Sequence, residues 1–125
     1  MTNSPALDAT EKLGADGATG PRISLRRIKD NIAEVIYTSP GAGLHVKDLR
    51  RLPQLETMTL CVVVLKSGFI VIGKSAPMSP TNYSAEKGRT FAYEDAVRQL
   101  WPMFAFHELQ IDQEEAHRQE VEANR

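Results

Sequence analysis

The residues best suited to chemistry lie in one stretch, Gly73-Lys74-Ser75-Ala76-Pro77-Met78-Ser79-Pro80-Thr81-Asn82-Tyr83. It leaves a strongly apolar segment at a glycine and runs into the start of a helix. Backbone N–H groups at a helix N-terminus, helped by the helix dipole, suit an anion such as phosphate or carboxylate. Lys74, Ser75, Ser79 and Asn82, with Lys87 and Arg89 beyond them, supply donors, and Tyr83 and Trp101 supply flat rings. A nucleotide-like ligand would place its phosphate on Lys74 and Arg89 and its base on Tyr83 or Trp101. Ordinary capping accounts for the same residues: Ser79 and Asn82 satisfy a turn, Gly73 relieves crowding, and Trp101 fills a core.

Other chemistries find little support. There is no P-loop, no Gly-x-Ser-x-Gly and no paired metal-ligand spacing, so no catalytic residue, metal or cofactor is assigned. His45, His107 and His117 are scattered, and Glu94 and Asp95, being adjacent on a helix, point apart. The single cysteine, Cys61, lies in an apolar run and reads as a buried thiol packed as a small hydrophobe. Binding is therefore expected rather than catalysis. The alternative is nucleic-acid binding through Arg22, Arg26, Arg27 and Lys29 with Arg50 and Arg51, and a hydrolase, which needs a carboxylate or histidine cluster formed only in three dimensions, ranks third. A formal net charge of −1 counts against nucleic-acid binding, as do six acidic residues between Glu108 and Arg125. This acidic end and the basic 22–51 stretch are suited to attract each other, within a chain or between chains, but two solvated faces are the preferred reading. The longest apolar run, Leu60 to Leu65, is far too short to span a bilayer, so a soluble protein of the cytoplasm, without a membrane partner, is expected.

A single α+β domain over residues 21–111 is read as the scaffold for these groups: a helix, a central antiparallel β-hairpin and a second helix. Residues 1–20 hold only Leu7 and Leu13 as large apolar groups beyond Met1 and are assigned to a disordered leader. Ser24 is a good N-cap, flanked by Ile23 and Ile28 at staple positions. Leu25, Ile28, Ile32, Val35 and Ile36 then recur at helical spacing. Residues 41–56 are read as a long connection. Ser79-Pro80 opens a short turn, and Ser84 caps the second helix, whose Ala85, Gly88, Ala92 and Ala96 form a small-residue stripe. Pro102 is expected to kink or end that helix after Trp101, with residues 112–125 a polar, fraying tail.

The strongest local signal is the pair of β-branched runs Thr57–Leu65 and Phe69–Ile72 around Lys66-Ser67-Gly68. A two-residue Ser67-Gly68 loop pairs Leu65 with Ile70, Val64 with Val71, Val63 with Ile72 and Val62 with Gly73. Both faces of that ribbon are apolar, whereas a hairpin wet on one side alternates with polar residues. Each face therefore needs a cover. Either the helices take one face each, or both take one face and a second subunit takes the other. A homodimer is expected.

The ordered series Leu65-Lys66-Ser67-Gly68-Phe69, Gly73-Lys74-Ser75, Ser79-Pro80-Thr81-Asn82-Tyr83, Glu86-Lys87-Gly88-Arg89, Ala92, Ala96 and Trp101-Pro102 resembles a family of small tailed-phage and prophage proteins. That family is named for gene products forty-nine and sixty-six of two unrelated phages. The resemblance spans roughly residues 21–109 and includes the Pro21-Arg22-Ile23-Ser24 helix start. It implies a phage or prophage origin and action in the bacterial cytoplasm, and it brings no catalytic residues. Taken together, the expectation is a non-enzymatic accessory protein that binds a host protein or sequesters a small anionic ligand.

Overall fold

The computed structural model describes residues 4–43 and 53–125. The chain runs α1 (Pro5–Ala15), α2 (Leu25–Asp30), β1 (Ile32–Thr38), a 3-10 turn (Pro40–Gly43), α3 (Pro53–Glu56), β2 (Thr59–Leu65), β3 (Ile70–Ser75), a second 3-10 turn (Pro80–Asn82) and α4 (Ala85–Ala123). The α+β class holds. The hairpin is present as β2 and β3, but it forms two strands of a three-stranded antiparallel sheet in the order β1-β2-β3.

The extra strand corrects the sequence reading of residues 32–36. Ser24 does cap a helix, accepting from the Arg27 amide, and Ile23 and Ile28 are buried at its start. That helix ends at Asp30. Ile32-Ala33-Glu34-Val35-Ile36-Tyr37-Thr38, rich in β-branched residues, then pairs with β2. The register shifts between Ile32 and Glu34, marking a bulge at Ala33. The bulge brings Ile32, Val35 and Tyr37 onto the core side. Their spacing of three and then two imitates the start of a helical stripe, which is why periodicity continued the helix.

The hairpin register is also corrected, by one residue. Val64 faces Ile70, Val63 faces Val71, Val62 faces Ile72 and Cys61 faces Gly73. The loop has three residues, Lys66-Ser67-Gly68, with the Gly68 amide donating to the Leu65 carbonyl and the Leu65 amide to the Phe69 carbonyl. Gly68 sits at φ +93°, the left-handed position that closes a type I turn with a bulge. A one-residue slip exchanges the faces of a strand. Val71 therefore joins Cys61, Val63 and Leu65 on the inner face, while Ile70 and Ile72 join Leu60, Val62 and Val64 on the outer one.

Helix α4 covers the inner face. Ser84 caps it through the Lys87 amide, after a short 3-10 turn capped by Ser79, as read from sequence. Its small-residue stripe lets it lie close: Ala92 and Ala96 are fully buried, along with Tyr93, Val97 and Leu100. Pro102 does not end it, and α4 continues to Ala123. An interior proline costs about 3 kcal/mol. Here buried Leu100 precedes it, the Trp101 indole donates to the Ile23 carbonyl, and Met103 and Phe104 pack on the core after it, so contacts on both sides hold the helix through the break.

Part of the expected leader is ordered as well. Ser4 caps α1 through the Leu7 amide and donates its hydroxyl to the buried Glu94 carboxylate at 2.9 Å. Leu7 is fully buried in the core. Sequence composition undervalued this segment because one inward leucine and one inward serine suffice when both meet partners on α4 and α2.

Candidate functional site

The residues singled out for an anion site fall into three places. Ser75, Asn82 and Tyr83 line a small groove of about 130 Å³ with Thr57, Lys87 and Phe91. Ser79 lies outside it, capping its own turn and sharing a hydrogen bond with Thr81 at 2.9 Å. Lys74 and Arg89 are exposed and do not line the groove. The Lys74 amide donates to Asp95 Oδ2 at 2.9 Å, and its side chain projects from the outer face of the sheet opposite Leu60. Trp101 is elsewhere, half-buried against the core with its N–H on the Ile23 carbonyl at 2.8 Å. The cations and the stacking ring proposed for a nucleotide therefore do not converge.

Three of the basic residues meet acidic partners, two of them closely. Arg22 grips Glu11 through two hydrogen bonds of 2.8 and 2.9 Å. Arg27 meets Glu108 on α4 at 2.7 Å, a single ion pair between the basic and acidic stretches, while the rest of the acidic end is exposed. Each arginine holds its partner carboxyl below the ordinary value. Arg26 makes a loose 3.8 Å pair with Asp30, Lys29 is half-buried, and Arg50 and Arg51 lie outside the described residues.

Cys61 is fully buried, and burial pushes its thiol up to about 11, the opposite of an activated nucleophile. Tyr93 beside it is also fully buried, its hydroxyl raised to about 12 by burial first and then by Tyr37 and Cys61. His107 and His117 are exposed on α4, and His45 lies outside the described residues. Among the described residues no group of His, Cys, Asp or Glu could hold a metal, and no helix is long and apolar enough to cross a membrane.

The most distinctive surface is one that no sequence motif marked as a site. On the outer face of the sheet the pairing makes a three-by-three grid, with rows Glu34-Val64-Ile70, Ile36-Val62-Ile72 and Thr38-Leu60-Lys74. Six of its nine residues are large and apolar. Ile36, Ile70 and Ile72 are 52%, 54% and 53% exposed, and no described element packs over them. Their exposure is unusual because the same strands bury Val63 and Val71 fully or nearly so on the other side. The signal was present in the sequence as a ribbon greasy on both sides, but without β1 and the correct register it could not be drawn as a surface.

The β3 edge of this sheet is occupied. Gln99 Nε2 donates to the Ile72 carbonyl at 2.8 Å and Asp95 accepts from the Lys74 amide, so α4 side chains satisfy backbone groups that would otherwise template another strand. Glu94 and Asp95 do diverge, as adjacent helical residues must, one to Ser4 and the other to this edge.

No curated protein and no solved structure matches this chain. Residues 23–111 match the model of the phage protein (N4 Gp49/phage Sf6 gene 66) family. That span starts at the carbonyl that receives the Trp101 indole and takes in the whole sheet and the buried part of α4, so by the match of its core the chain belongs to the phage protein (N4 Gp49/phage Sf6 gene 66) family.

Proposed function

We propose that this chain is a non-enzymatic phage accessory protein that acts in the bacterial cytoplasm through protein–protein contact at the outer face of its sheet. The observation that carries this reading is the grid centred on Val62, with Ile36, Ile70 and Ile72 each about half exposed. Contiguous apolar surface rimmed by polar groups marks sites where another macromolecule removes water. The rim here is Glu34, Thr38 and Lys74.

The small-ligand version of the binding hypothesis has weaker support. Pockets that enclose a drug-sized or cofactor-sized molecule are typically about 300–1,000 Å³. The groove beside Ser75, Asn82 and Tyr83 is about 130 Å³ and lacks Lys74 and Arg89. The nucleic-acid version loses Arg22 and Arg27 to Glu11 and Glu108.

Site-specific photo-crosslinking in bacterial cells tests the reading. A photoreactive side chain at Ile72 is expected to give a discrete cross-linked protein product, while the same group at fully exposed Met78 gives only diffuse background. Equal yields at the two positions would refute contact at the outer face.

A further inference from the structure

We propose that the occupant of the outer face is a second copy of this chain, packed face to face about a two-fold axis that runs along the Thr38–Ile70 diagonal of the grid. This deepens the contact reading above and rests on it. The argument starts from charge. Glu34 and Lys74 are the two charged members of the grid, and they stand at diagonally opposite corners. Neither side chain forms an ion pair with a described residue. A face with one acid and one base at opposite corners is its own electrostatic complement. Rotating a copy about the other diagonal sets Glu34 of each protomer against the partner's Lys74, twice by symmetry.

The apolar positions fit the same operation. Strands lie about 4.8 Å apart, and side chains on one face of a strand repeat about every 6.6 Å. With that spacing Val62 falls on the axis against the partner's Val62. Val64 lies over the partner's Ile72 and Leu60 over the partner's Ile36. The strands of the two sheets then cross steeply, close to the orthogonal class of sheet packing. Gln99 and Asp95 take up the Ile72 carbonyl and the Lys74 amide at the β3 edge, and it is a copy on the face, not one beside an edge, that would cover Ile70 and Ile72.

Sedimentation of the purified full chain at about 10 μM, with charge-reversed variants and two engineered thiols, decides the matter. The wild type is expected to sediment as a dimer. E34K and K74E each place two like-charged contacts in that interface and should weaken it by about tenfold or more. The E34K/K74E double variant re-forms both pairs with exchanged signs and should recover most of the loss. Val62→Cys, lying on the axis, should be joined to its partner by a short bis-maleimide cross-linker that spans the roughly 10 Å between packed sheets, far more readily than Ile36→Cys, off the axis; the native Cys61 is buried and stays silent.

A monomeric wild type overturns the proposal. So does a dimer indifferent to the charge reversals, or a double variant no better than the singles. A monomer that still gives an Ile72 cross-link to a different protein removes self-pairing and leaves the contact reading standing. A dimer with no Ile72 cross-link, unchanged by E34K and K74E, removes both.

Discussion

Gly73 shows how one residue sets the distance between the layers. A Cβ at this position would sit 2.0 Å from the Ala92 carbonyl oxygen and 2.5 Å from the Ala96 amide nitrogen, both backbone atoms of α4. Neither can rotate aside, so the whole helix would have to lift. Gly88, on the α4 stripe that holds Ala92 and Ala96, presents a contrast. Its added Cβ would meet Thr59 Oγ1 at 2.5 Å, a side-chain atom that a change of χ1 can move where a backbone atom cannot. Replacing glycine inside a helix by alanine also returns up to about 1 kcal/mol of helix propensity. Gly73→Ala is therefore expected to cost at least about 3 kcal/mol and Gly88→Ala far less, measured by urea unfolding of the two variants. A comparable loss in both would mean that α4 does not rest on the backbone of β3. Glycine and alanine spacing was enough to foresee a close approach, because small residues at helical intervals have few other uses.

The elements were legible where one signal stood alone and illegible where two coincided. Ser24, Ser79 and Ser84 were read as caps, and each accepts an amide in its own turn. Strand β1 was missed because its bulge gives Ile32 and Val35 the three-residue spacing of a helix. The hairpin was found but slipped by one residue because Ser67-Gly68 fits a two-residue loop as well as the last two positions of a three-residue one. The open outer face takes its residues from that same register, and the groups along residues 73–89 are dispersed because adjacency in the chain is not convergence in space. Helix α1 was missed because its anchors are tertiary. Its Glu11 carboxylate accepts from Arg22 and from the Leu25 amide at 2.8 Å, tying α1 to the start of α2. Those hydrogen bonds, Arg22's foremost, hold the Glu11 carboxyl below its usual value despite partial burial. A carboxyl lowered on folding stabilises above its unfolded pKa of about 4.3, and the contribution is lost as pH falls through the lower folded value. Glu11→Gln should therefore lower Tm near pH 7, and the gap from wild type should close below about pH 4. A gap that is constant with pH would show that the glutamate acts only as a neutral acceptor.

At the scale of the whole molecule, the family match over residues 23–111 leaves an end of the described chain outside it on each side, and the structure treats those two ends differently. The N-terminal one is stitched in. Ser4 satisfies a carboxylate on α4 that is only 6% exposed, and Leu7 completes the core. Removing one partner of a buried charged hydrogen bond leaves the other unsatisfied, a penalty of about 1–3 kcal/mol or more, and losing a buried leucine adds about 2–5 kcal/mol. The C-terminal end is the last part of α4, and every residue from Asp112 to Arg125 is exposed. A single helix with no apolar face against the body adds helical signal and little stability, since packing rather than propensity holds most protein helices. Two truncations separate these roles. Deleting residues 1–15 should lower Tm by on the order of 10 °C or more, because each kcal/mol is worth about 4 °C in a domain of this size. Deleting residues 112–125 should leave Tm within about 2 °C while reducing the circular dichroism at 222 nm in proportion to the helix removed. If the second deletion also lowers Tm strongly at dilute protein, the last third of α4 has a stabilising contact that the isolated chain does not show. A drop that appears only at high protein concentration would place that contact between copies, which would then meet along α4 as well as across the sheet.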